Sequence, residues 1–566
     1  MGSQSEAEPT WQELVANHQA LQRSNIPEGW ILNRELLEKL IGGDDGKISG
    51  IDLITTRAAE QAQILTAKEL EITELYSAVD LLSKMATGQL SALEVTTAFC
   101  KRAAIAQQLT SCLTEIFFKQ AMQDAKLLDE HYKTHGKVKG PLHGLPISLK
   151  DSFVVDGQYS TVGYVEFLRK PLPTGQSALV NLLQDAGAVL YCKTNIPQTM
   201  MTADSENNIF GRTLNPHKTS VTAGGSSGGE GSLVGFRGSP LGVGTDIAGS
   251  IRIPSLCCGT YGFKPTANRV PFAGQALTPF PRLHLPSGVL PTAGPIGHSV
   301  DDLEAFMRIV LDSNPWNYDQ SCFGVPWNTA DPAFTTRPLR IGVPPEDNEY
   351  TLHPPVRRAW EGAIAQLEKA GHTIIRLPED ESRSIGLGAR IAFASYGAGH
   401  PGPEKLQQMM KEPFVKSLAL GVHPFTKKPP PVPRSADIGE VLSALTTAVD
   451  AYAGSWRQAW VEHSLDIVLC PGAQSTAVPH DTFGVPAYTC AWNVLDYPAC
   501  IIPYGRASAS LDPDSAPATA AFDPSYDPEA VDGVPCAVQI ITPRFRDEQC
   551  LAAAKIVDSI LNPARA

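Results

Sequence analysis

The chain has 566 residues, 43% hydrophobic and 19% charged, with 46 basic against 59 acidic side chains and a net charge of −13. That is ordinary globular composition, long enough to bury a large core without disulfide or metal staples. The acidic balance argues against nucleic acid or an anionic membrane as partner, and eleven cysteines without a CxxC predict free thiols in a reducing compartment rather than a zinc site.

The N-terminus, "MGSQSEAEPTWQ", carries no basic region followed by an apolar run. No stretch reaches the roughly eighteen uninterrupted apolar residues of a membrane helix. The end "LNPARA" carries no retention or peroxisomal signal. A soluble cytoplasmic protein without a membrane anchor is expected.

In chain order, "WQELVANHQALQRS" and "ITELYSAVDLLSKMATG" space apolar residues three and four apart and read as helical. A helix pair follows in "SALEVTTAFCKRAAIAQQL" and "FFKQAMQDAKLLDEHYKTHG". The texture then changes. "GLPISLKDSFVV" and "GAVLYCKTN" are short apolar runs bounded by Gly and Pro, with "SALVNLLQDAG" as a helix between them. The alternation continues through "LRIGVP", "PPVRRAWEGAIAQLEKAG", "HTIIRLP", "LDIVLCPG", "PACIIPYG" and "AVQIITP". It predicts an α/β fold, a large mixed but mostly parallel central sheet covered by helices on both faces. The proline-rich "KKPPPVPR" and the small, acidic Arg506–Gly533 segment read as surface loops, the second inserted between two strands. With no clean linker and no repeat, the simplest division is a helical N-terminal extension over 1–74 and one large domain over 75–560.

The unusual stretch is Val221–Ser250, where ten glycines surround two serine clusters, "GGSSGGEGSLVG" and "TDIAGSIR". Glycine costs backbone entropy, so this density needs a reason. A P-loop needs a lysine after its glycines and a dinucleotide loop needs GxGxxG; neither spacing is present. A flexible linker would be polar throughout, whereas "SLVGF" and "SPLGVG" contain residues that need a core. Gly224–Gly228 satisfies the GxSxG nucleophile elbow of α/β-hydrolases, which would also require a downstream acid and histidine. His400, His463 and His480 are the candidates. Alternatively, Lys150 in "GLPISLKDS" ends an apolar strand, where desolvation favours a neutral amine able to accept a proton. The plain alternative for Lys150 is a side chain snorkelling to solvent. His143 stands in the same segment, but seven extended residues span about 20 Å, so it reads as a loop histidine at the strand entry.

Taken together, "GGSSGGEGSLVGFRGSPLGVGTDIAGSIRIPS" (Gly224–Ser255) resembles the amidase signature family of serine hydrolases. The upstream "GLPISLKD" and "KTNIPQTM" and the downstream "YGFKPT" fit in the expected order, and the likeness extends over about residues 75–560. "NPWNYD" and "WNVLDYPACIIPYG" are similar to stand-alone fungal amidases of the acetamidase and general amidase type, and "GGEG…SPLGVGTDI" also resembles fatty acid amide hydrolases.

The resemblance implies a Ser–cis-Ser–Lys triad. Ser250 matches the nucleophile, Ser226 the bridging residue behind a cis bond from Gly225, and Lys150 the base. It also implies an oxyanion hole of backbone N–H groups from Ile247, Ala248, Gly249 and Ser250. Ala248 departs from the glycine of many relatives, but the position needs only a small residue and alanine reads as tolerated there. Asp246 and Arg252 read as a pair orienting the loop. Met200 matches a position whose backbone lies near the substrate, with core packing as the alternative. The implied activity is hydrolysis of a small-molecule carboxamide through an acyl-enzyme on Ser250, with no cofactor or metal, a rate rising with pH and an apparent pKa below that of a free lysine. An amidotransferase-type subunit, a non-catalytic binding protein and an α/β-hydrolase-like esterase are the competing readings. A homodimer is compatible with each; acyl and amine specificity are not legible.

Overall fold

The N-terminal helices begin where a short hydroxyl side chain can cap them. Thr10, Thr66, Ser77 and Ser91 precede helices Trp11–Ser24, Ala67–Leu75, Ala78–Ala86 and Ala92–Thr110. Each forms a capping box with the acid three residues on: Glu13, Glu69, Asp80 and Glu94. The periodic run around "ITELYSAVDLLSKMATG" therefore divides in two at Ser77. The computed structural model describes residues 8–42, 48–276, 288–329, 334, 336–398, 403–420, 428–433, 435, 437–513 and 522–563. His400 and part of the Arg506–Gly533 insertion lie outside them.

The strands in chain order are β1 (Leu113–Ile116), β2 (Pro146–Lys150), β3 (Val189–Thr194), β4 (Glu206–Asn207) and β5 (Gly211–Arg212). Next come β6 (Leu214–Asn215), β7 (Lys218–Thr222), β8 (Leu241–Asp246), β9 (Tyr261–Lys264) and β10 (Thr292–Gly297). The last are β11 (Arg340–Val343), β12 (Thr373–Arg376), β13 (Ile467–Pro471), β14 (Ala499–Arg506) and β15 (Pro535–Ile541). Strands β4–β5 and β6–β7 form two small pairs; the other eleven form one sheet in the order β1-β3-β2-β8-β10-β9-β14-β15-β13-β11-β12. In β2, β3, β8, β10, β13 and β15 every residue is buried. Since successive side chains point to opposite faces, both faces of the sheet are covered.

The sheet is mixed, but the expectation that it is mostly parallel is corrected. Parallel pairing is confined to β3–β2–β8 and β13–β11–β12; the remaining six pairings are antiparallel. Strands β8 and β9, joined through helix Arg252–Cys258, run the same way, yet β10 inserts between them antiparallel to both. In the same way β15 inserts between β13 and β14. A strand–helix–strand pattern reports the direction of the joined strands, and a later strand can still come between them.

Ile26, Leu32, Leu40, Leu53 and Ile72 belong to the same apolar core as the sheet. Helix Trp11–Ser24 is tied to β1 by buried polar contacts: His18 Nε2 lies 2.9 Å from Glu115 Oε1, and Gln22 Nε2 donates to Glu115 Oε2 at 2.8 Å. Among the described residues no helix is long and apolar enough to cross a membrane.

Candidate active site

The glycine-rich segment is more ordered than a loop. It forms helix Gly228–Gly235 and then β8, which pairs in parallel with β2. The helix lies so close to the sheet that a Cβ on Gly242 would strike the Glu230 carboxylate. Glycine density thus reflects close approach of two elements. Because β2 and β8 run side by side in one direction, Lys150 and Thr245 emerge at the same end of the sheet, the end where open α/β folds form their clefts.

Lys150 is 1% exposed. Its Nζ donates to Ser226 Oγ at 2.7 Å and to Thr245 Oγ1 at 2.8 Å. The Gly225–Ser226 peptide is cis. Ser250 stands on the turn after β8, and its segment is pinned to the serine pair by the Ser227 N–H, which donates to the Ser250 carbonyl at 3.2 Å. Lys150, Ser226 and Ser250 line one cavity with Met200, Ile247 and Asp246. The Ser250 hydroxyl itself has no hydrogen-bond partner among the described residues, so Lys150–Ser226 is the one link of the implied relay that is formed.

The Ile247–Ser250 turn is held by its carbonyls. That of Ile247 accepts from the Tyr396 hydroxyl at 2.6 Å, that of Ala248 from Thr489 Oγ1 at 2.7 Å, and that of Gly249 from the Ile253 N–H at 2.7 Å. With every acceptor committed, the peptide planes are fixed. Gly249 has φ +127°, a conformation side chains avoid, and a Cβ there would collide with the Thr489 hydroxyl. This geometry turns the Gly249 N–H onto Asp246 Oδ1 at 2.9 Å. Of the four N–H groups named from the resemblance, that of Gly249 is thus bonded to Asp246, whereas those of Ile247, Ala248 and Ser250 have no acceptor among the described residues.

Asp246 and Arg252 are both fully buried and form a two-pronged pair, Nε to Oδ2 and Nη2 to Oδ1, each at 3.0 Å. Asn493 Nδ2 donates to Asp246 Oδ1 at 2.9 Å and Arg252 Nη1 to Gln539 Oε1 at 2.8 Å. Burial alone would raise the Asp246 carboxyl, but the Arg252 charge and the hydrogen bonds from Arg252 and Asn493 hold it well below the usual carboxylate range. The ion pair therefore anchors the turn as a charged unit and leaves its cavity face to the backbone.

Glu230 behaves in the opposite way. It sits beneath Lys150, fully buried, accepting from Ser148 Oγ at 2.6 Å and Thr194 Oγ1 at 2.8 Å. Burial pushes its carboxyl up to about 8, against the smaller pull of those hydroxyls and of Lys150. The folded chain thus holds a proton that the unfolded chain has released above an ordinary glutamate pKa. This contribution to stability is full below about 4.5 and is lost as pH rises toward about 8. Glu230→Gln is expected to flatten that part of the pH–stability curve, read as a smaller loss of Tm between pH 5 and pH 9 than in the parent; an equal loss in both proteins contradicts it.

Of the histidines weighed from sequence, His143 accepts the Lys139 N–H at 3.1 Å, His463 follows helix Ile438–Glu462, and His480 lies 3.4 Å from Asp204; none of the three lines the cavity. The sequence reading missed Thr245, Tyr396, Thr489, Ser152 and Gln275. Ser152 lines the cavity from the turn that follows β2, two residues beyond Lys150. Tyr396 and Thr489 reach the site from helices Ile385–Gly397 and Ala487–Val494, with no local pattern to announce them.

A family model described as Amidase matches residues 94–551. An amidase of Gibberella moniliformis is 40% identical over 557 residues, covering 98% of this chain and 99% of its own. An acetamidase of Emericella nidulans is 36% identical over 575 residues, with 98% of each chain covered. The solved structure of a fatty acid amide hydrolase superposes with a TM-score of 0.87 at 29% identity, covering 98% of this chain and 95% of that one.

Proposed function

The chain belongs to the amidase family and is an amide hydrolase; from that premise we propose that it cleaves the C–N bond of a small-molecule carboxamide through an acyl-enzyme on Ser250. The observation that carries this reading is the buried Lys150 amine 2.7 Å from Ser226 Oγ, at a cavity that Ser250 also lines.

In the active form the Lys150 amine is neutral, donates an N–H to Thr245 and turns its lone pair to Ser226, the reverse of the charged amine's donation to that hydroxyl. As Ser250 Oγ attacks the carbonyl carbon, its proton passes to Ser226 and that of Ser226 to Lys150. Charge develops on the carbonyl oxygen, and the Ile247, Ala248 and Ser250 N–H groups are the donors for it. Collapse of the tetrahedral intermediate breaks the C–N bond while the proton returns along the same route to the departing amine. Water then repeats the sequence against the ester, releasing the acid and restoring the serine. The Ser226–Ser250 link is the one left to form with substrate, as catalytic hydrogen bonds commonly tighten only then.

Turnover by the isolated chain tests the proposal. Ammonia release from acetamide by the purified protein is the expected result; release only after adding a partner subunit contradicts a stand-alone amidase.

The donors of the turn act through Tyr396 and Thr489, which are positioning residues. Tyr396→Phe is expected to lower kcat about 10-fold with KM little changed, because misaligned donors weaken transition-state binding more than ground-state binding. Thr489→Ser should retain activity that Thr489→Val loses. Equal losses in both Thr489 variants, or a Tyr396→Phe effect confined to KM, contradict this role.

A further inference from the structure

Among the described residues, two polar side chains at the cavity are left without partners. The Ser152 hydroxyl, on a residue 2% exposed, and both the oxygen and the nitrogen of the Gln275 carboxamide are buried atoms with no hydrogen-bond partner among the described residues. Both residues line the same cavity as Lys150 and Ser250. They are held side by side: the Ala276 N–H donates to the Ser152 carbonyl at 2.8 Å, and Phe153 bridges Gln275 in antiparallel fashion. Segments more than a hundred residues apart are thus clamped together so that a hydroxyl and a carboxamide share one wall.

Buried polar groups without partners are rare in folded proteins, and each one calls for a reason. A site lined to receive only alkyl chains would place apolar side chains here, because a desolvated amide facing hydrocarbon is costly. A carboxamide offers one acceptor and two N–H donors in a plane, and a hydroxyl offers one of each. Their complement is a group that both donates and accepts. Both side chains are uncharged, and the fixed negative charge at this cavity, Asp246, is already neutralised by Arg252. The complement is therefore neutral rather than ionic.

We propose that Ser152 and Gln275 form a specificity subsite for a second, uncharged donor–acceptor group on the substrate, making small amides that carry another carboxamide the preferred class over alkyl and long-chain acyl amides. The inference rests on the active-site reading above, since it takes the cavity to be where substrate binds. When an apolar isostere is bound instead, the subsite's polar groups stay unpaired, which is the situation in which enzymes discriminate most sharply.

The test compares succinamide with 4-methylpentanamide, in which an isopropyl group replaces the second carboxamide at equal size. The native enzyme is expected to show a kcat/KM for succinamide about 10- to 100-fold higher. Gln275→Leu and Ser152→Ala should each move that ratio toward one. Equal specificity in the native enzyme, absence of succinamide turnover, or a ratio untouched by both variants overturns the proposal. Failure of the active-site reading is distinguishable, because it appears as turnover of either amide surviving in Ser250→Ala; that result overturns the subsite as well.

Discussion

Ser250→Ala is expected to abolish amide hydrolysis, lowering kcat by about four to six orders of magnitude, as removal of an activated serine does elsewhere. The loss should occur without loss of the fold. The Ser250 hydroxyl has no hydrogen-bond partner among the described residues, so its removal orphans nothing, and the backbone that pins the turn is unchanged: the Ser227 N–H still meets the carbonyl of residue 250. An unshifted thermal melt together with absent ammonia release in a single-turnover assay is the expected pair of results. Residual activity within about 100-fold of the parent would place the nucleophile elsewhere, since background catalysis from oriented donors alone is far weaker than that.

Lys150→Met carries the second large effect, a fall in kcat of about three to five orders of magnitude. Methionine keeps the bulk of the lysine stem but removes the amine that contacts both Ser226 and Thr245. The pH dependence separates a base from a mere spacer. With a neutral amine as the active form, the native rate rises from acid toward alkaline pH and then levels, while the residual rate of Lys150→Met loses that rise. A parallel pH profile in both proteins contradicts the role. Ser226→Ala, which interrupts the route in its middle, is expected to cost as much or somewhat less.

What could be read beforehand divides along physical lines. The helices were legible from apolar spacing, but the break at Ser77 was missed, although Ser77 and Asp80 form a capping box whose determinants are local. The strands around Lys150 and Cys192 were legible as apolar runs bounded by Gly and Pro. Strand β8 was not, because "LGVGTD" carries the glycines that let it lie against Glu230, and glycine-rich sequence reads as loop. The insertion of β10 and β15 between strands already joined by a helix is a tertiary event with no trace in the alternation that predicts the sheet.

The site divides in the same way. That Lys150, Ser226 and Ser250 share one cavity was anticipated through the ordered signature segments, not through spacing alone. The commitment of the Gly249 N–H to Asp246 depends on a single torsion angle, +127°, which glycine permits but does not announce. Tyr396, Thr489 and Gln275 come from segments whose local patterns report only helix or turn. Their contribution exists because the fold brings a hydroxyl or an amide to one particular carbonyl or wall.

The account depends on a proton route from Ser250 through Ser226 to Lys150, and the most direct test is covalent capture of the activated hydroxyl. The rate of modification by a fluorophosphonate, followed by peptide mapping, should show a single adduct on Ser250, forming faster as pH rises in the native protein and far more slowly in Lys150→Met at every pH. An adduct on another residue, or an unchanged rate at Ser250 when Lys150 is replaced, would contradict it.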